Sequence, residues 1–114
     1  MKKAYQYVCA NAEELHANED FLTDQARTIQ AFAIANGIEI VRSTGDVTDS
    51  TTIYKAGISE ILETIANSPG MIDLVLVHTA DRITHSKDEL REFLFSLWLV
   101  GVKVISVTAE TKRE

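Results

Sequence analysis

Asp81, Arg82 and His85 stand a few residues beyond a nearly unbroken apolar run, Ile72 to Val77. A carboxylate, a guanidinium and an imidazole in one short segment are the groups of proton transfer or anion binding. Cys9, at the end of an earlier strand-like segment, and Glu13-Glu14 just after it are further candidates. A thiol nucleophile attacking phosphate needs a cradle of backbone amides closed by an arginine. Leu15 occupies that closing place and the intervening loop lacks glycine, so Cys9 reads as a structural residue. Glu13-Glu14 and Asp81 imitate a phosphoacceptor site only loosely, since no lysine follows the last apolar run until Lys112. His16, His78 and His85 lack metal-ligand spacing; His16 reads as a solvated loop residue and His78 as a strand end. There is no glycine-rich dinucleotide loop and no Walker-type loop. No metal and no cofactor are expected.

The elements that must hold these groups alternate regularly. Ala4 to Cys9 is rich in Tyr and Val and predicts a strand; Asn11 to Asp20 is polar and predicts a loop. Phe21, Leu22, Ile29, Phe32 and Ala33 recur at helical spacing up to Asn36-Gly37, a left-handed stop. Ile38 to Val41 predicts a second strand, and Ser43 to Ile53, dense in Gly, Asp, Ser and Thr, a long loop. Ile58, Ile61, Leu62 and Ile65 define an amphipathic helix ended by Asn67-Ser68-Pro69-Gly70. Ile72 to Val77 is apolar enough for a central strand. Ser86-Lys87-Asp88-Glu89 has the spacing of a capping box for a helix to about Val100; Gly101 ends it, and Val102 to Val107 is the last strand. This order predicts an α/β fold of three layers, a mostly parallel four-stranded sheet with helices on both faces. Ligands of such sheets bind beyond the carboxyl ends of the strands: here Cys9 to Leu15, Arg42 to Lys55, His78 to His85 and Thr108 to Glu110.

The segment His78-Thr79-Ala80-Asp81-Arg82-Ile83-Thr84-His85, followed by a capped helix and Gly-Val before a last strand, resembles the serine site-specific recombinases (resolvases and invertases). Asp81 and Arg82 match that family's Asp-Arg pair, and His85 replaces its second arginine. In Tyr7-Val8-Cys9-Ala10-Asn11 the tyrosine matches, while Cys9 stands for an arginine and Asn11 for the nucleophilic serine. Gln25 fits a glutamine common in the family's first helix. Asp46 and Lys55-Ala56-Gly57-Ile58 fall at the spacing of an aspartate and an Arg-x-Gly-aliphatic stretch, so Lys55 replaces a further arginine. Asp49-Ser50 stands where the family has Ser-Gly. The resemblance spans about residues 4 to 107.

The resemblance implies a resolvase-like catalytic-type domain, degenerate at the positions Cys9, Asn11, Asp46, Lys55, Asp81, Arg82 and His85. The family's reaction is attack by a serine hydroxyl on a DNA phosphodiester, with arginines stabilising the phosphoryl charge. An asparagine amide is no nucleophile, and Cys and His are no substitutes for planar, permanently charged donors. The expectation is a domain related to strand exchange and DNA integration but without its chemistry, acting in protein association or regulation, or persisting as a mobile-element relic. An active recombinase domain using Ser43, Ser50 or Ser86, and a flavodoxin-like module for phosphate or a small molecule, are the alternatives.

Composition bears on partners. The 114 residues suit a single domain (1–114), 46% are apolar, and the formal charge is −6 with eleven scattered Lys and Arg. DNA affinity rests on neutralising phosphates, so DNA is expected as a partner only within a longer protein or complex. The family's long helix and DNA-binding domain are not expected within these residues. One cysteine and no long apolar run suggest a cytoplasmic protein without a membrane span. Leu90, Phe93, Leu94, Phe95, Leu97, Trp98, Leu99 and Val100 crowd the final helix more than one core-facing stripe requires. That predicts a homodimer through this helix, with Phe95 or Trp98 as anchor.

Overall fold

The computed structural model describes residues 1–108. Its elements in chain order are β1 (Lys2–Ala10), α1 (Ala12–Ala17), α2 (Phe21–Ala35), β2 (Ile38–Val47), α3 (Ala56–Asn67), β3 (Leu74–Val77), a 3-10 turn (Ala80–Arg82), α4 (Lys87–Leu99) and β4 (Lys103–Ser106). The four strands form one parallel sheet in the order β2-β1-β3-β4. The predicted α/β architecture with helices on both faces is what the chain adopts. Sequence positions beyond Thr108, including Glu110 and Lys112, lie outside the described residues.

Alternation along the strands separates two cores. Tyr5, Tyr7, Cys9, Val75 and Val77 point to one face, where α3 supplies Ile58, Ile61 and Ile65, and α4 supplies Phe93 and Leu97. Ala4, Leu74 and Leu76 point to the other, against Ile29 and Ala33 of α2. β1 and β3 are buried on both sides, which explains why β3 reads as an apolar run.

Three features differ from expectation, each for a physical reason. The polar stretch after β1 is a helix, because Asn11 caps it: the Asn11 side chain accepts from the Glu14 amide and the Glu14 side chain accepts from the Asn11 amide. β2 runs on to Val47, since Tyr5 to Ala10 of β1 offer it a pairing partner along Arg42 to Val47; pairing overrides a polar composition. The loop that follows is therefore shorter, beginning at Thr48. Finally, Ser86 accepts from the Glu89 amide as predicted, but Glu89 does not complete the box. Its Oε1 accepts instead from the Ile53 amide and the Thr84 hydroxyl. That carboxylate ties the loop after β2 to the start of α4. Outside these, Gly37 ends α2 in the left-handed region (φ 65°), as expected.

The strand order reverses on either side of β1, with β2 on one side and β3 on the other, so the crevice at the carboxyl ends of β1 and β3 is the topological switch point. Among the described residues no helix is long and apolar enough to cross a membrane.

Candidate functional site

At that crevice lies a cavity of about 140 Å³, lined by Cys9, Asn11, Lys55, Asp81, Arg82 and His85 together with Glu14, Ser50 and neighbouring threonines. Six of the seven residues singled out in the sequence thus meet at one place. Asp46 does not line it. Its carboxylate sits at the start of α3, accepting from the Gly57 amide at 2.9 and 3.0 Å and from the Tyr7 hydroxyl at 2.7 Å. Gly57 is required there: a Cβ would lie 2.6 Å from Asp46 Oδ2 and 2.9 Å from the Tyr7 ring. Burial first, then the bond to Asp46, holds the Tyr7 phenol far above its usual range.

Lys55 is 6% exposed, unusual for an unpaired lysine. Its ammonium donates to the backbone oxygens of Arg82 (2.7 Å) and Ile83 (2.8 Å), and lies 3.9 Å from Cys9 Sγ. Burial pushes its pKa down; Cys9 and Asp46 act the other way. The lysine therefore clamps the loop after β2 onto the 3-10 turn. The same two segments are joined by the His85 amide, which donates to the Thr51 oxygen at 2.8 Å. This loop is stapled down along its length.

Arg82 is equally committed. Nη1 and Nη2 each donate to one oxygen of Glu14 at 3.0 Å, and Nη1 also donates to the Cys9 oxygen at 3.1 Å. The guanidinium lies 5.1 Å from the centre of the Phe21 ring, and Asp81 is 3.9 Å from Nε. Asp81 accepts from the Thr79 hydroxyl. Asn11 and Arg82 share one oxygen of Glu14, which places the amide cap and the guanidinium within side-chain reach of each other. Gln25 supports this corner from below, its side chain bonding both the amide and the carbonyl of Cys9.

The residue that sequence reasoning underrated is Glu14. It was readable, because Asn-x-x-Glu has the spacing of a capping box, but the ion pair with Arg82 spans the fold and has no local signal. With Glu14, Asp49 and Asp81 facing Lys55 and Arg82, carboxylates outnumber the permanent cations in the lining. Of the alternative hydroxyls, Ser43 accepts from the Gln6 amide elsewhere on the sheet and Ser86 caps α4. Ser50 alone reaches the cavity, where its hydroxyl partners Thr52. Among the described residues no group of His, Cys, Asp and Glu could hold a metal ion.

Comparison with known proteins agrees with this geometry. The chain belongs to the resolvase N-terminal domain family, whose model matches residues 12–114. It is accordingly a serine-recombinase-type domain, related to site-specific recombination. A resolvase family site-specific recombinase from Streptococcus pneumoniae superposes with a TM-score of 0.80 at 23% identity, over 96% of this chain and 74% of that one. The C-terminal catalytic domain of ISC1926 TnpA, an IS607-like serine recombinase, gives 0.78 at 21% identity, over 92% and 67%. The N-terminal catalytic domain of TP901-1 integrase gives 0.74 at 19%, over 95% and 78%. At such identities the likeness is one of fold. No curated protein matches the chain.

The Glu14–Arg82 pair sets an expected pH dependence. The Arg82 hydrogen bond lowers the Glu14 pKa; burial opposes it, and the Asn11 amide and the positive charge of Arg82 and His85 add to the lowering. A carboxyl depressed on folding stabilises the fold above its unfolded value, ~4.3, and that contribution is lost as pH falls through the folded value. Glu14→Gln should cost about 1–2 kcal/mol at neutral pH, as expected for a partly buried charge-assisted pair. The cost should shrink toward zero near pH 2–3. Urea unfolding of both proteins across this range checks it; a difference independent of pH would count against the ion pair.

Proposed function

We propose that this domain has lost strand-exchange chemistry and serves the resolvase family's processes through protein association or regulation. The observation that carries the reading is Asn11. It stands where the resemblance puts the nucleophilic serine, and its side-chain oxygen is spent capping α1. An amide in that role offers no hydroxyl to form a phosphoester. The cations lend further support: Lys55 and Arg82 are already bonded to protein oxygens, and His85 is a weaker substitute for an arginine. Each missing donor costs about 10²-fold or more in rate.

The association half of the reading rests on α4. Phe93 and Leu97 face the core, whereas Leu94, Phe95, Trp98, Leu99 and Val100 are exposed. Phe95 and Trp98 stack at 6.0 Å beside an open groove of about 390 Å³ formed with Val102, Lys103 and Val104 at the β4 edge. Together these side chains offer roughly 600 Å² of apolar surface, close to the ~800 Å² per partner of a stable interface. A protruding aromatic pair next to a groove on the same face suits a two-fold, self-complementary contact. A second copy of the chain is the proposed partner.

Two experiments test these halves separately. Incubation with a suicide recombination-site substrate should give no covalent protein–DNA adduct on a denaturing gel, and Asn11→Ser alone should not restore one. An adduct mapped to any hydroxyl of the unaltered protein contradicts the loss of chemistry. In light scattering, the protein should approach twice the monomer mass at micromolar concentration, and Trp98→Glu should return it to a monomer. A constant monomer mass up to high micromolar concentration excludes the dimer.

A further inference from the structure

The proposed loss of the nucleophile does not account for the covering of Arg82. Arg82 presents its two terminal nitrogens side by side, a fork that matches two oxygens of a carboxylate or a phosphate equally well. Glu14 fills that fork with both oxygens at 3.0 Å. We propose that Glu14 is a built-in competitor for an oxyanion, a plug that keeps a latent phosphate-class seat on Arg82 closed. This concerns binding, and it holds whether or not the domain retains any chemistry.

Three features support a plug rather than an ordinary structural ion pair. The pair sits in the cavity, with Ser50, Thr48 and Asn11 around it, not on an outer helix face. The carboxylate comes from α1, six residues long and with no buried residue, so its departure disturbs no core packing. The rest of the seat stays in place without it. Arg82 remains fixed by the Cys9 oxygen and the Phe21 ring, and its backbone by Lys55. The Asn11 amide, now donating to Glu14 at 2.9 Å, would be a further donor to an incoming oxyanion. Removing one carboxylate also evens the charge of the lining, which otherwise carries Glu14, Asp49 and Asp81 against Lys55 and Arg82. The ligand class is a phosphate monoanion or dianion, or a phosphodiester of similar shape.

Glu14→Gln is the informative substitution, since glutamine serves the capping box as well as glutamate but carries no charge for the guanidinium. Titration with inorganic phosphate at neutral pH and constant ionic strength, followed by amide NMR at Asn11 and Arg82, reads the seat directly. The unaltered protein should show no saturable binding in the millimolar range, whereas Glu14→Gln should bind at least tenfold more tightly. The double variant Glu14→Gln/Arg82→Gln should lose that gain. Glu14→Ala, which removes the plug outright, gives the same readout should Glu14→Gln fold poorly. Equal binding by the unaltered protein and both single variants overturns the proposal. So does a gain that survives loss of Arg82. A covalent adduct in the cleavage assay would overturn the loss of chemistry and leave this proposal standing.

Discussion

A buried ammonium must find oxygen atoms, and Lys55 finds them in the backbone of Arg82 and Ile83. Much of the site follows from that constraint. The two carbonyls are free to accept because the chain after β3 makes only a 3-10 turn before α4 begins. Lys55 in turn precedes Gly57, whose amide is fixed by Asp46, and Asp46 is fixed by Tyr7 of the central strand. The loop after β2, the turn after β3 and the end of β1 are thereby joined through one side chain. Removing that ammonium would leave buried acceptors without partners, at a cost of about 1–3 kcal/mol each.

The same bonding changes what the site can do. A cation that stabilises a transition state must keep its donors aimed at where charge will develop. Here Lys55 holds backbone and Arg82 holds Glu14, so the two permanent charges act as struts. Asn11, where the family resemblance places a serine, is likewise a structural cap. The domain has the recombinase architecture, and Asn11, Lys55 and Arg82 are bonded within it to protein groups around the ends of β1 and β3. The apolar outer face of α4 is exposed.

Much of the architecture was legible in the sequence because it depends on periodicity. The buried run at Leu74–Val77, the helical spacing of Ile58, Ile61 and Ile65, and the glycine stops after α2 and α4 are local signals that tertiary packing reinforces. The extension of β2 through Val47 was not legible, since Ser43, Thr44, Gly45 and Asp46 owe their strand conformation to pairing with β1. In the site, the family spacing brought Cys9, Asn11, Lys55, Asp81, Arg82 and His85 to one cavity. It could not reveal that Arg82 would close on Glu14, far away in sequence, or that Asp46 would support α3 from beneath instead of facing the cavity. Those depend on how strand ends meet, which no local pattern encodes.

The Arg82 guanidinium is committed internally, to Glu14 and to the Cys9 oxygen. Nitrogen-15 NMR of the Arg82 side chain tests this most directly, because a fork held at both nitrogens rotates slowly about its Nε–Cζ bond. The account predicts separate, slowly exchanging Nη proton signals for Arg82 in the unaltered protein at neutral pH, and markedly faster exchange in Glu14→Gln, where the Cys9 oxygen still holds Nη1 but no carboxylate holds both nitrogens. An averaged Arg82 signal in the unaltered protein, the same as in the variant, would contradict it.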